Sequence, residues 1–312
     1  MDPSDPSSYL LRAVIRPTTI IEAPGLARRL GVRLLIASET FQRTGSFKFR
    51  AAYNVASRVP QRRIITASSG NFGQALACAC QMLGKSCLVV MPNSSARVKV
   101  AAVRAGGATV DLIDTGVKTR HARVAELAAA DPDAYVASAY DDPLVIEGNA
   151  SLGAELAALN APFDFILAPV GGGGLTSGII TGLRSAGKAT PVVGVEPAIA
   201  NDAARSLRAG QIIANETEPL TIADGVRTLS LGKHNWAVLR DGLAGIVEVS
   251  EENVREAVRL LFTLANLKAE PTGALGIAAL LTSPEMFHDR SVCCVVSGGN
   301  VDPNVFREIL AE

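Results

Sequence analysis

The sequence predicts an α/β fold on doubly wound, mostly parallel sheet, and two observations carry that prediction. Short runs rich in β-branched residues alternate with Ala- and Leu-rich stretches of helical length along most of the 312 residues. The runs are apolar almost without interruption, as strands covered by helices on both faces are.

In chain order, RIIT (63–66), SCLVV (86–90), ATVDLI (108–113), DAYVAS (133–138), DFILAPV (164–170), PVVGVEP (191–197), GIVEVS (245–250) and SVCCVVS (291–297) read as strands. Val and Ile dominate most of them, within the usual strand length of about 4–8 residues. Residues 71–83, 96–105, 118–130 and 175–186 have helical length and good helix formers. Ligands of such sheets gather beyond the carboxyl ends of the strands, so the residues that follow each strand are the ones to inspect. No repeat, low-complexity tract or charge block marks a linker. The length alone allows two domains of about 100–200 residues or one large α/β unit.

Composition narrows the function. Thirty Lys+Arg balance thirty Asp+Glu and only 4% of residues are aromatic, so neither the basic face nor the stacking platforms of a nucleic-acid binder are present. A small-molecule ligand is expected instead. The start, MDPSDPSSY, lacks the basic and apolar regions of a signal peptide. The longest uncharged stretch, Ile64 to Gly84, is broken by Ser68, Ser69, Gly70, Asn71, Gly73 and Gln74, which excludes it as a membrane span. Cys78, Cys80, Cys87, Cys293 and Cys294 form no CxxC pair, which points to a reducing, cytoplasmic setting.

Four loops carry the candidate chemistry. In SETFQRTGSFKF, Thr44-Gly45-Ser46 can turn and cap a helix from about Ser46, which places Lys48 in its first turn. There the positive end of the helix dipole, with desolvation by Phe47 and Phe49, favours the neutral amine that a Schiff-base lysine needs. The same segment also reads as a solvated surface lysine. In TASSGNFGQ a strand ends at Thr66 and a helix opens near Asn71, offering free N–H groups and two hydroxyls to a carboxylate or phosphate, or simply a well-capped helix start.

After DFILAPV come Gly171, Gly172, Gly173 and Gly174, then the helical LTSGIITGL. Successive glycines let backbone approach an anion, and the helix start adds N–H donors, which together make a phosphate cup. The nicotinamide fingerprint GxGxxG fails here, because Thr176 and Ser177 stand where its last glycine belongs. The Walker pattern fails at Gly84-Lys85-Ser86, where Ala79 replaces its first glycine. The last strand runs into Ser297-Gly298-Gly299-Asn300, whose hydroxyl can donate into a cleft or cap the final helix.

Together these segments resemble the pyridoxal-phosphate enzymes of fold type II, the tryptophan-synthase-β-like group, and within it the serine/threonine dehydratases and serine racemases. YDDPLVIEG (140–148), GVEPAIANDAARS (194–206), TIADGVRT (221–228) and EPTGA (270–274) extend the resemblance over nearly the whole chain in order. It implies two doubly wound domains with the cofactor, pyridoxal 5'-phosphate, in the cleft between them: residues 1–53 and 142–312 as the large domain, with 54–141 inserted as the small one. It also implies a homodimer.

By this resemblance Lys48 carries the cofactor and takes the substrate α-proton. Gly171 to Gly174 hold the phosphate, Asn71 the phenolic oxygen and Ser297 the pyridine nitrogen. Ser68, Ser69, Gly70 and Asn71 clamp the substrate carboxylate, and Ser69 matches the serine that racemases use on the face opposite the lysine. Glu196, the Ala200 carbonyl and Asp202 match a divalent-cation site, hard oxygen ligands suited to Mg²⁺ or Ca²⁺. The alternative for that segment is a helix-capping Asp202 with a solvated Glu196.

The sequence departs from the family pattern at Phe72 (His in many relatives), Gly148-Asn149-Ala150-Ser151 (GQGT), Ala37 (Lys) and Ser138 (His), changes expected to cluster on the substrate side. The chain ends after its last core helix, so the amino-acid-sensing regulatory domain of biosynthetic threonine dehydratases is not expected. The activity this implies is dehydration of a small β-hydroxy-L-amino acid such as L-serine or L-threonine to a 2-oxo acid and ammonia. The alternatives are serine or aspartate racemisation, threo-3-hydroxyaspartate dehydration and, from other classes, a nicotinamide oxidoreductase or a catalytically silent amino-acid-binding relative.

Overall fold

A computed structural model describes residues 11, 13–68, 70–159 and 161–312. Its strands form two sheets, one with six strands in the order β1-β2-β10-β7-β8-β9 and one with four in the order β5-β4-β3-β6. The first comprises β1 (Thr19–Glu22), β2 (Arg33–Ser38), β7 (Phe165–Pro169), β8 (Val192–Pro197), β9 (Leu243–Val249) and β10 (Ser291–Val296). The second comprises β3 (Arg63–Ala67), β4 (Ser86–Pro92), β5 (Thr109–Ile113) and β6 (Tyr135–Ala137). All pairings are parallel except β1 with β2.

The helices are α1 (Pro24–Leu30), α2 (Lys48–Arg58), α3 (Asn71–Met82), α4 (Arg97–Ala105), α5 (Arg120–Ala130), α6 (Pro143–Ala157) and α7 (Gly174–Ser185), then α8 (Asp202–Ala209), α9 (Lys233–Leu239), α10 (Glu251–Ala265), α11 (Leu275–Thr282), α12 (Pro284–Phe287) and α13 (Pro303–Ala311). None of the described helices is long and apolar enough to cross a membrane.

Strand alternation explains the continuous apolar runs. In β10, Val292, Cys294 and Val296 pack with Leu26 of α1, Val258 of α10 and Leu275 of α11, while Cys293 and Val295 pack with Leu152 of α6 and Ile179 of α7. The small sheet is covered in the same way: Ile64 and Val89 face α2 and α3, and Ile65 and Val90 face Val124 of α5.

The eight expected strands all form, and two more precede them. LARRLGVRLL has helix formers on both sides of Gly31, so β2 does not stand out from α1 by composition. Gly31, at φ 67°, ends the helix in a left-handed turn and lets β2 begin. The strand β1 is a half-exposed edge. DAYVAS contributes only Tyr135–Ala137, because the Ser138 hydroxyl turns the chain by accepting the N–H groups of Tyr140 and Asp141.

Two helices set the position of the glycine loop. Where α6 crosses α7, a Cβ on Gly153 would lie 2.3 Å from the Ile179 carbonyl oxygen, and one on Gly182 would lie 2.2 Å from that of Ala150. Backbone thus rests on backbone, and the start of α7 is fixed against α6.

Candidate active site

The carboxyl ends of both sheets converge. From the small sheet come the loop after β3 and residues 138–140 after β6. From the large sheet come the glycines after β7, the 297–300 turn after β10, and the segment between β2 and α2.

Lys48 is the first residue of α2, two residues later than the helix start read from sequence. Ser46 does not cap it: its backbone pairs with Gly298, and its buried hydroxyl has no hydrogen-bond partner among the described residues. The Lys48 ammonium donates to the Ala139 carbonyl at 2.8 Å, across to the small sheet. Burial lowers its pKa to about 8 against a smaller opposing pull from Glu270. The aromatic rings beside it are Phe47 at 5.1 Å and Phe72 at 5.7 Å. Phe49, expected to share this task, instead stacks on Tyr53 in the core of the small sheet.

Helix α3 opens at Asn71, as read from sequence. Its first-turn N–H groups are served by Ser68, whose hydroxyl accepts from Gly70 at 3.3 Å and Gly73 at 2.9 Å. The cap and the expected anion site can therefore share a residue, since an accepting hydroxyl still has a proton to donate. Ser69 lies outside the described residues. Asn71 donates to Glu270 at 2.8 Å and accepts from Asn300 at 2.9 Å, which leaves one amide N–H of Asn71 for a ligand.

The glycine loop is built for close approach. A Cβ on Gly171 would lie 2.9 Å from Val226 Cα, and one on Gly172 would lie 2.1 Å from the Tyr140 ring. Gly173 has φ 93°. The loop carbonyls are taken: Gly172 accepts from Gly232 and Asn235, Gly173 from Ser177 and Gly174 from Asn149. Its N–H side remains for an anion. Ser297, whose carbonyl accepts the N–H of Phe47 beside Lys48, is 1% exposed, and its hydroxyl has no partner among the described residues. A buried hydroxyl without a partner costs about 1–3 kcal/mol, so the position calls for an acceptor such as a pyridine nitrogen.

These features fit the expected cofactor: a cradle of N–H donors, an unpartnered hydroxyl and an amine whose pKa burial lowers to about 8. Gly173→Ala should weaken cofactor binding by about tenfold, since a left-handed residue carries about 1–3 kcal/mol of strain when given a side chain. Gly172→Ala should do the same by displacing Tyr140. Titration of the cofactor by absorbance checks both, and unchanged affinity in the two variants reduces the loop to a linker.

Sequence reasoning assigns no role to Glu270, Lys99 or Tyr140. Glu270 is 2% exposed and faces Asn71. Burial, and next Asp224, raise its pKa to about 7. EPTGA belongs to the resemblance, but nothing local to that segment announces a buried carboxyl beside Asn71.

Glu196 and Asp202 come together, and the capping roles differ from those expected. Glu196 is 1% exposed rather than solvated, and its own carboxylate caps α8 by accepting from Ala204 at 2.7 Å and Ala203 at 3.2 Å. Asp202 accepts from Asn215 with one oxygen, and the other is buried without a partner among the described residues. Burial raises Glu196 to about 8 and Asp202 to about 6. Ala200 is buried beside them at the end of the turn after β8. Two desolvated carboxyls with one free oxygen fit a hard dication, although the described residues include no cluster of three His, Cys, Asp or Glu side chains that could hold a metal.

Of the family departures, only Phe72 faces Lys48. Asn149 supports the glycine loop through Gly174, and Ser151 accepts from Arg50. Ala37 is a core residue of β2, and Ser138 shapes the turn to Tyr140. The changes support the site's framework more than the substrate side.

A family model described as pyridoxal-phosphate dependent enzyme matches residues 11–298. L-threo-3-hydroxyaspartate ammonia-lyase of Pseudomonas sp is 34% identical over 297 residues, 94% of this chain and 92% of that protein. Serine racemase of Homo sapiens is 33% identical over 305 residues, 94% of this chain and 88% of that one. The crystal structure of a T.th. threonine deaminase superposes with a TM-score of 0.87 at 40% identity, covering 96% of this chain and 99% of the other.

Proposed function

Since the chain belongs to the pyridoxal-phosphate dependent enzyme family, we propose that it removes water from a small β-hydroxy-L-amino acid such as L-threonine or L-serine, giving a 2-oxo acid and ammonia. The observation that carries the reading is the buried Lys48, its pKa lowered to about 8, with the unpartnered Ser297 hydroxyl and the glycine loop beside it. Relatives that include an ammonia-lyase and a racemase support it. We read the chain as two units, 1–53 with 142–312 and 54–141 inserted between them, working in the cytoplasm as a homodimer.

In this reading Lys48 holds the cofactor, the N–H groups of Gly171 to Gly174 its phosphate, Asn71 its phenolic oxygen and Ser297 its ring nitrogen. When bound, the cofactor draws electrons from the substrate α-carbon and makes its proton acidic. Lys48 takes that proton, and a pKa of about 8 suits an amine that must be free near neutral pH and hold a proton afterwards. Ser297 donates as a neutral hydroxyl and does not force the ring nitrogen to be protonated. Ser68, Ser69, Gly70 and Asn71 clamp the substrate carboxylate at the start of α3. Phe47 and Phe72 keep water from the Lys48 amine.

Racemisation needs a proton donor on the face opposite Lys48, the role the family resemblance gives Ser69. The test is a panel of L-serine, L-threonine and L-threo-3-hydroxyaspartate scored for both 2-oxo acid and D-amino acid. We expect 2-oxo acid to dominate. Ser69→Ala should lower D-product formation far more than 2-oxo acid formation, and absence of 2-oxo acid from every substrate overturns the dehydratase reading.

Glu196, the Ala200 carbonyl and Asp202 would hold Mg²⁺ or Ca²⁺. The expected result is a melting temperature that falls on chelation and returns with either ion. Indifference to both leaves Glu196 as a helix cap alone.

A further inference from the structure

Lys99, on α4, reaches out of the small sheet into the loop read above as the carboxylate clamp. Its Nζ is 3.7 Å and its Cδ 3.8 Å from where a Cβ on Gly70 would stand, so the ammonium lies directly over that loop. Its partner is the Asp224 carboxylate, in the turn 224–226 of the large-sheet side. That turn borders the site: Gly225 donates to Thr272, and Val226 rests against Gly171. Glu270, two residues from Thr272, also lies within the field of Lys99.

The two members of the pair differ in setting. The Lys99 side chain is 19% exposed, whereas that of Asp224 is 35% exposed. Asp224 can therefore return to water at small cost if another carboxylate takes its place, since partly exposed ion pairs are worth about 0–1 kcal/mol. A substrate's α-carboxylate is served by N–H groups and hydroxyls and needs no cation. A second carboxylate farther along the substrate does need one, and Lys48 is engaged with the reaction.

We propose that Lys99 is a specificity-determining residue, the cation that exchanges Asp224 for the side-chain carboxylate of a dicarboxylic β-hydroxy amino acid. This rests on Ser68, Gly70 and Asn71 being the α-carboxylate clamp. The substrate class follows from charge: the side chain of serine or threonine gives Lys99 nothing to bind, whereas a β-carboxylate gives it a charged partner beside a loop already holding the rest of the molecule.

The test is calorimetric titration of the cofactor-loaded protein with succinate and with butyrate, which differ by one carboxylate. A charged hydrogen bond of about 1.5–3 kcal/mol gives succinate about a tenfold or greater advantage. Lys99→Gln, which keeps a polar N–H donor one atom shorter and loses the charge, removes that advantage. Asp224→Asn, which frees Lys99, increases it. The ratio of kcat/KM for L-threo-3-hydroxyaspartate over L-threonine falls in parallel in Lys99→Gln.

An equal loss for both ligands in Lys99→Gln and in Asp224→Asn would show the pair to be a strap between the two sheets and overturn the proposal. So would a succinate preference that survives loss of the charge. If the preference exists and depends on Lys99 but no β-hydroxy amino acid is turned over, the specificity site stands and the dehydratase reading falls.

Discussion

Lys48→Ala lowers turnover by about 10²–10⁴-fold or more, because in the proposed function the residue is both attachment point and base, and it leaves the fold intact. The side chain contributes no packing that a core needs, being half-buried between Phe47, Phe72 and the Ala139 carbonyl. Borohydride reduction followed by peptide mapping labels Lys48 in the wild type. A label on another lysine would refute the assignment. The cofactor-free protein gives an independent readout. The folded-state pKa of Lys48 lies near 8 against an ordinary 10.5, so between those values the unfolded chain binds more protons than the folded one. The penalty for burying the charge is full below about pH 8 and disappears as pH rises through 10.5, so stability increases across that window. Lys48→Ala removes this rise, measurable as a flatter dependence of the urea midpoint on pH.

Asn71, Ser297 and the glycines could be found in the sequence because each follows a strand legible there, whereas Lys48 follows β2, which is not, and could be found because the order of the motifs resembles that of the family. Glu270 and Lys99 could not. A lone Glu before a proline and a lone Lys on an amphipathic helix read as solvated charges, and only the meeting of the two sheets places one against Asn71 and the other over Gly70. The same limit explains the misplaced details around Lys48. Ser46 has the composition of a cap, but the Ser46–Gly298 bridge draws its backbone toward the last strand, and α2 starts beyond it. Glu196 has the composition of a surface residue, but it ends a central strand facing the first turn of α8, where unpaired N–H groups attract a carboxylate.

Arg50 shows what holds Lys48 in place, and its loss has the largest expected effect on stability. It stands two residues after Lys48 on α2 and is fully buried. Its guanidinium grips Glu39 with two hydrogen bonds, of 2.7 and 2.8 Å, and reaches Glu155 at 2.7 Å, Ser151 at 2.9 Å and the Thr18 hydroxyl at 2.8 Å. Those partners belong to the end of β2, to α6 and to the chain just before β1, so one side chain ties three parts of the framework to the helix that starts with Lys48. The two carboxylates raise the Arg50 pKa against the cost of burial. Removing a single member leaves a buried charge uncompensated, at about 3–5 kcal/mol. Arg50→Met should lower unfolding stability by about that amount, because Glu39, 1% exposed, is then stranded. Adding Glu39→Leu to Arg50→Met should recover part of the loss, since two apolar side chains replace the stranded carboxylate and need no partner. Urea denaturation of the two single variants and the double decides it: a double variant as unstable as the sum of the singles would mean that the ions act independently, and that packing around α2, not charge pairing, anchors the reactive lysine.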